Sequence, residues 1–249
     1  MQFDPPLITG TLLKRYKRFL VDVQLENGQI VTAHVAATGA MTGCSTPGSR
    51  VGLSYHDTPG RKLPYSLELV ESDGVWVLVN ISRPNALVEE ALREGTHLPG
   101  SAHRLAHGFA HGLPHERLRR EVKYGHNSRI DLLLESGEGE QTQRCYIEVK
   151  GVTLCEQGWG YFPDAVTERG TKHLLELREM VRAGHRAVLL FLVLRPDIKG
   201  VSPAERVDLL YAQTLREVIQ QGVEVMVWGL ETDLTGLRVS HSLPFLPVR

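Results

Sequence analysis

Three side chains in this chain have the types and the spacing for phosphoryl chemistry. Asp131 lies in Ser128-Arg129-Ile130-Asp131-Leu132-Leu133-Leu134-Glu135, and Glu148 and Lys150 lie in Cys145-Tyr146-Ile147-Glu148-Val149-Lys150-Gly151. Both stretches read as strands. Side chains alternate faces along a strand, so Cys145, Ile147 and Val149 share one face and Tyr146, Glu148 and Lys150 the other. A carboxylate and an ammonium side by side are costly to bury unless they are paired or hold a metal. On the first strand Leu133 shares the face of Asp131, while Ile130, Leu132 and Leu134 take the opposite one. If the two strands pair as a hairpin, Asp131 comes close to Glu148 and Lys150. Two carboxylates meeting there repel each other. A bound Mg²⁺ or Mn²⁺ relieves that repulsion, because hard cations take oxygen ligands. Such a metal activates water and stabilises a transferring phosphoryl group. The lysine then orients the attacking water or neutralises phosphate charge. The competing reading is a surface ion pair beside a solvated aspartate.

The elements that must position these groups divide the chain in two, at 1–82 and 83–249. The first part is built of short strands. Residues 12–36 alternate in two runs joined by Glu26-Asn27-Gly28-Gln29, and Asn-Gly marks a hairpin. Further strands are expected over 50–55, 65–71 and 75–79, with turns at Pro47-Gly48, Pro59-Gly60 and Asp73-Gly74. Strands at this spacing suggest a small barrel of the OB type. Ser82-Arg83-Pro84-Asn85 breaks the pattern. The second part reads as a helix over 86–93, a segment 103–123 compatible with a broken helix, and strands over 128–135 and 144–153. A helix capped by Thr167 follows, running to about 183 with Gly184 as terminator. An apolar strand is expected over 186–194. Ser202-Pro203-Ala204-Glu205 reads as a capping box opening a helix that ends at Gly222, before a strand over 223–228. That order predicts a mixed α/β sheet, so the fold class is α/β (α+β) with an N-terminal OB-like barrel.

The 249 residues, 42% of them hydrophobic, suffice for one large or two ordinary domains. A formal net charge of −1 advertises no global affinity for nucleic acid. Charge is concentrated locally, however. Residues 101–130 carry Arg104, Arg117, Arg119, Arg120, Lys123 and Arg129 against Glu116 and Glu121. Such a patch can dock phosphates, although a solvated face would carry the same charges. Arg15, Lys17 and Arg18 flank Tyr16 and Phe19 on the first strand. Basic and aromatic residues interleaved on an OB-like barrel suit single-stranded nucleic acid, and equally suit an ordinary strand with one wet face. Three cysteines, Cys44, Cys145 and Cys155, form neither a disulfide framework nor a four-cysteine zinc site. They fit a reducing cytoplasm, with Cys145 and Cys155 as small buried hydrophobes. Neither a signal peptide nor a membrane-spanning run is expected. His103, His107, His111 and His115 repeat every four residues, but Gly108, Gly112 and Pro114 interrupt them. No carboxylate or cysteine completes a ligand set, so they read as an exposed stripe.

The spacing of Asp131, sixteen residues, then Glu148-x-Lys150 matches the pattern of the PD-(D/E)xK nuclease superfamily. Beyond it, the blocks KRYKRFLVDV, TGAMTGCSTPGSRV, RKLPYSLELVE, RREVKYGHNSRIDLLLE, CYIEVKGVTL and YFPDAVTERGTKHLLEL resemble the sugar fermentation stimulation protein A family. The resemblance runs from about Leu12 to Trp228. It implies an OB-like domain followed by a PD-(D/E)xK nuclease-like domain, and a DNA-binding protein linked to sugar-utilisation genes. Residue by residue, it implies that Asp131, Glu148 and Lys150 form the nuclease core and that Glu121 is an outer metal ligand. Arg169 and Lys172, three apart on the Thr167-capped helix and so on one face, are placed to reach a phosphate or the metal-bound water. Asp164 has no role beyond a turn. In many relatives Cys-Pro-Asn-Thr-Gly stands where this chain has Val35-Ala36-Ala37-Thr38-Gly39, which puts any contact of that asparagine in doubt here. The family's Asp-Pro becomes Asp208-Leu209.

Three functions follow in order. The first is metal-dependent (Mg or Mn) hydrolysis of nucleic-acid phosphodiesters. The second is a non-catalytic DNA-binding transcriptional regulator of sugar (maltose) metabolism genes. The third is a regulator that binds a small sugar, for which no cluster of aromatics and carboxylates stands out. The expected partner is nucleic acid, DNA first, held through its backbone with little base readout, because no recognition helix is evident. No membrane is involved, and the sequence leaves the oligomeric state open.

Overall fold

The structure is a computed structural model that describes residues 1–95, 115–139 and 142–247, apart from Thr38, Ala40 and His126. Strands β1 (Ile8–Tyr16), β2 (Leu20–Leu25), β3 (Ile30–His34), β4 (Arg50–Tyr55) and β5 (Tyr65–Ser72) are ordered β3-β2-β1-β4-β5. Strand β3 pairs back onto β5 at Ala33↔Tyr65 and His34↔Ser66, which closes an OB-like barrel. Alternate residues such as Val21, Val23, Val51, Leu53 and Leu67 fill its interior. Gly10 sits where β1 crosses β2. A Cβ there would lie 2.7 Å from the Gln24 carbonyl oxygen, so only glycine permits the approach. β6 (Val75–Leu78) extends the sheet beyond β5.

Residues 12–36 form three strands, not the two that the pattern predicts. Lys17 and Arg18 are not on the first strand. With Phe19 they make a tight turn, at φ of 50° and 65°. Left-handed backbone is uncommon for such residues, and no Gly, Asn or Pro announces the turn. Arg15 secures it instead, donating from Nη2 to the Arg18 carbonyl at 2.7 Å.

The second unit comprises α1 (Pro84–Arg93), β7 (Arg117–Tyr124), β8 (Ser128–Ser136), β9 (Gln143–Val152), β10 (Leu154–Glu156), β11 (Trp159–Phe162), α2 (Glu168–Arg182), β12 (Arg186–Val193), β13 (Val201–Pro203), α3 (Leu209–Gln220), β14 (Glu224–Thr232) and β15 (Leu237–Ser242). Its main sheet runs β15-β14-β12-β9-β8-β7, parallel at its centre and antiparallel towards both edges. β12 is apolar throughout because both of its faces are covered. Val188, Leu190 and Leu192 pack with α1 and with Leu69 and Leu78 of the barrel sheet. Leu189, Phe191 and Val193 pack against α2 and α3. A smaller sheet, β10-β11-β13, closes one end.

Residues 117–124 are a strand rather than the tail of a broken helix, and pair with β8 along its length. Among the residues before it, His103, His107 and His111 lie outside the described residues. The Ser202-Pro203-Ala204-Glu205 capping box does not open a helix. Ser202 and Pro203 pair in parallel with Tyr161 and Phe162, and α3 starts later, capped by the Asp208 side chain accepting from Tyr211 N at 2.9 Å. The amino terminus also leaves the barrel. The Met1 ammonium donates to Leu237 O at 2.9 Å and Phe3 N to Thr235 O at 3.0 Å, so residues 1–3 strap the second unit. Cys44 and Cys145 are buried free thiols, and Cys155 is half-buried. No helix among the described residues is long and apolar enough to cross a membrane.

Candidate functional site

β8 and β9 are antiparallel, and their ladder runs from Ser136↔Gln143 to Leu132↔Ile147. One step further, Asp131 and Glu148 fall opposite each other. The strands' regular pairing stops at that step. The Val149 amide instead donates to Asp131 Oδ2 at 2.8 Å, so a side chain takes over a ladder bond. Asp131 Oδ1 accepts from Asn85 Nδ2 at 2.8 Å. Asn85 is delivered by the start of α1, where Pro84 occupies the first turn. Ile130 packs with Leu133 rather than with Leu132 and Leu134 as strict alternation predicts, which marks the same local departure from the ladder.

Glu148 is only 2% exposed. Its Oε1 accepts from Lys150 Nζ at 2.5 Å and hydrogen-bonds His173 Nδ1. Among the described residues its Oε2 is buried without a hydrogen-bond partner, as are the hydroxyls of Tyr124 and Tyr211. Burial pushes the Glu148 carboxyl up, but the His173 hydrogen bond and the Lys150 charge outweigh it and hold the group below its ordinary range. Asp131 behaves oppositely. Burial and then the Glu148 charge push it up to about 6, against the pull of the Val149 N–H, Lys150 and Asn85. Burial, with the Glu148, Glu176 and Asp131 charges behind it, also raises the Tyr124 hydroxyl. The two central carboxylates are thus electrostatically coupled, and their pKa values are driven in opposite directions.

His173 and Glu176 were invisible to the strand-based reading. Both are buried on α2, beside Leu174 and Leu177. A histidine interrupting the apolar stripe of a helix was the available signal. Arg169 Nε lies 3.4 Å from His173 Nε2, and Lys172 Nζ lies 3.7 Å from Glu176 Oε1. Arg169 and Lys172 therefore stand on the rim of the same site. Asp208 sets the helix that carries them: its Oδ2 accepts from Thr167 N at 2.9 Å, joining the starts of α2 and α3.

The remaining candidates sit on β7 and at the barrel turn. Glu121 would fall opposite Asp131 by register, but it is exposed and its φ of 52° breaks the pleat of β7. Arg119 and Arg120, on the same strand, are exposed and pair with Glu135 at 3.4 Å and Glu89 at 3.5 Å. Arg117, Lys123 and Arg129 are exposed on the same hairpin. Lys17, Arg18 and Phe19 are exposed at the barrel turn. Arg15 spends donors on carbonyls: besides Arg18, its Nη2 donates to Ala37 O at 2.9 Å and Gly39 O at 3.0 Å, bolting the turn to the loop after β3.

The side chains present fit a hard divalent cation only in part. Among the described residues no three His, Cys, Asp or Glu converge as a ready ligand set. Two carboxylates do meet, one with a buried oxygen that accepts nothing and one whose ionisation the other opposes. A cation between them satisfies the first and relieves the second.

A barrel of the OB type joined to a mixed sheet, with a coupled carboxylate pair and a lysine where two central strands part, defines a narrow class of protein. Residues 13–79 match the family model described as the SfsA N-terminal OB domain, and residues 82–236 match the sugar fermentation stimulation protein RE domain. The chain belongs to the sugar fermentation stimulation protein family. A sugar fermentation stimulation protein homolog of Citrifermentans bemidjiense is 47% identical over 246 residues, 99% of this chain and 100% of that one. A homolog of Aeromonas salmonicida is 48% identical over 251 residues, 98% and 96% of the two chains. The solved structure of Pyrococcus furiosus SfsA in complex with Ca²⁺ superposes with a TM-score of 0.81 at 24% identity, covering 99% of this chain and 98% of that one.

Proposed function

We propose that the second unit is a PD-(D/E)xK nuclease-like domain and that the protein binds nucleic acid and hydrolyses its phosphodiesters with a divalent cation. The observation that carries this reading is the meeting of Asp131 and Glu148 at the parting of β8 and β9, with Glu148 Oε2 unpartnered and Lys150 Nζ 2.5 Å from Oε1. Asp131 and Glu148 would hold the cation, Mg²⁺ or Mn²⁺. A relative of the same fold was solved with Ca²⁺, a cation of the same oxygen-seeking kind. The cation supplies Lewis acidity and a more acidic bound water.

The chain's own residues do the rest. Asn85 and the Val149 amide fix both Asp131 oxygens. His173 and Lys150 fix one Glu148 oxygen and leave the other without a hydrogen-bond partner among the described residues. The Lys150 ammonium sits where it can orient a water or balance phosphate charge. Arg169 and Lys172 extend positive charge to the rim for the neighbouring phosphate, and the β7–β8 hairpin and the Lys17-Arg18-Phe19 turn offer further backbone contacts. Binding of this kind weakens steeply with salt. The deciding assay incubates single- and double-stranded DNA and RNA with the full chain and Mg²⁺ or Mn²⁺, comparing wild type with Asp131→Asn. Cleavage is expected from wild type alone. Equal activity in the two proteins rejects the enzyme, and salt-dependent binding without any cleavage leaves a DNA-binding regulator.

A further inference from the structure

Beside the carboxylate pair lies a cavity of about 260 Å³ between the barrel and the second unit. Its barrel wall includes Ala37, Met41 and Ile81, and its opposite wall Tyr161 and Phe162. Asn85, Val149 and Lys150 also line it. These three are among the residues whose polar atoms hold Asp131 and Glu148. Whatever occupies the cavity therefore touches the groups that set the reacting centre. We infer that it receives one unpaired nucleobase of a strand whose phosphate lies at Asp131, Glu148 and Lys150. This inference rests on the nuclease reading and narrows its substrate to single-stranded or locally unpaired nucleic acid.

Size, chemistry and position agree. The volume falls below the roughly 300–1,000 Å³ of pockets for drug-sized ligands, so it suits one flat ring system. The lining is chiefly apolar, with Asn85, Lys150 and Asp164 among it as side chains able to hydrogen-bond the edge of a base. Asp164, which the sequence left without a role, lies against the loop after β3; a Cβ on Gly39 would stand 3.0 Å from its Oδ2. That loop is the one Arg15 bolts to the Lys17-Arg18 turn, so the basic turn and the cavity wall form one connected track. Ile81, 55% exposed, stands at the lip as an apolar surface for a base. A base inside a duplex cannot enter a recess between two folded units without leaving its stack. Ala37 contributes only a methyl group to the wall.

The test measures binding by fluorescence anisotropy with the full chain in a chelator, so that no cleavage intervenes. Three probes carry comparable phosphates: a short single-stranded oligodeoxynucleotide, the same length built of abasic sugars, and a blunt duplex. Wild type is expected to bind the single strand about tenfold more tightly than the abasic strand, the scale of one stacked base, and to favour it over the duplex. Ala37→Phe fills the cavity and should drop the normal strand to the abasic level while leaving the abasic strand unchanged. Ile81→Trp, which covers the lip without entering the core, carries the same expectation should Ala37→Phe not fold. Equal affinity for all three probes, or a base-dependent gap that survives filling, overturns the inference. A gap without cleavage under any cation sinks the nuclease and keeps the cavity. Asp131-dependent cleavage without a gap does the reverse.

Discussion

Two buried carboxylates in this molecule, Glu68 and Glu148, have opposite surroundings. Glu68, on β5, is 0% exposed and fully bonded. Arg83 donates Nε to Oε2 at 3.0 Å and Nη2 to Oε1 at 2.8 Å, Asn80 donates to Oε2 at 2.9 Å, and Ser54 to Oε1 at 2.8 Å. Burial raises its pKa, and Arg83 with the neutral donors overcomes that and lowers it. This node ties the barrel to the start of α1, because Asn80 and Arg83 bracket the connection. Glu148 is as deeply buried, yet both of its partners crowd onto one oxygen and the other has none. Burying an acceptor unmet is costly. One carboxylate is satisfied completely and the second is half-met, and the proposed cation would meet that second one.

The largest expected effect breaks the second node. Asp131→Asn or Glu148→Gln should cut Mn²⁺-dependent cleavage by on the order of 10³-fold, the scale of losing a principal electrostatic group, with circular dichroism unchanged. Next, Glu68→Ala should cost about 3 kcal/mol in denaturant unfolding, since it strands Arg83 and Asn80, while metal affinity in the folded protein stays at the wild-type level. A smaller stability loss at Glu68 than at Glu148 would erase the contrast. His173→Ala leaves Glu148 Oε1 with Lys150 alone and should weaken calorimetric Mn²⁺ affinity by about 10–100-fold, as loss of a ligand's supporting partner does; His173→Gln should restore part of it.

The smallest effect is in pH. The folded pKa of Asp131 is raised to about 6, above an unfolded value of about 3.9. Its contribution to the metal-free protein is therefore fully present below pH ~4 and lost as pH rises through about 6. Added Mg²⁺ should raise the melting temperature at pH 7 and much less at pH 5, where protons compete for Asp131. An equal rise at both values would remove Asp131 from the cation site.

The legible part of the site was local. Asp131, Glu148 and Lys150 stand on two consecutive strands whose hairpin pairing follows from a short turn, so spacing alone brought them together. Asn85 and His173 reach the same centre from helices on opposite faces of the sheet, a juxtaposition that only the tertiary fold creates. The fold followed the same division. The Asn27-Gly28 hairpin, the apolar strand β12 and the Thr167 cap match the structure. The capping box at Ser202 failed because parallel pairing of Ser202 and Pro203 with β11 overrode a local helix signal, and the turn at Lys17-Arg18 was missed because an arginine side chain, not a glycine, stabilises it.

The central claim is that Asp131 and Glu148 share one divalent cation. A crystal soaked in Mn²⁺ tests it most directly through the anomalous signal of the metal. The account predicts one peak bonded to Glu148 Oε2 and an Asp131 oxygen, lost in Glu148→Gln. A soaked crystal with no peak there, or with metal bound to neither carboxylate, contradicts it.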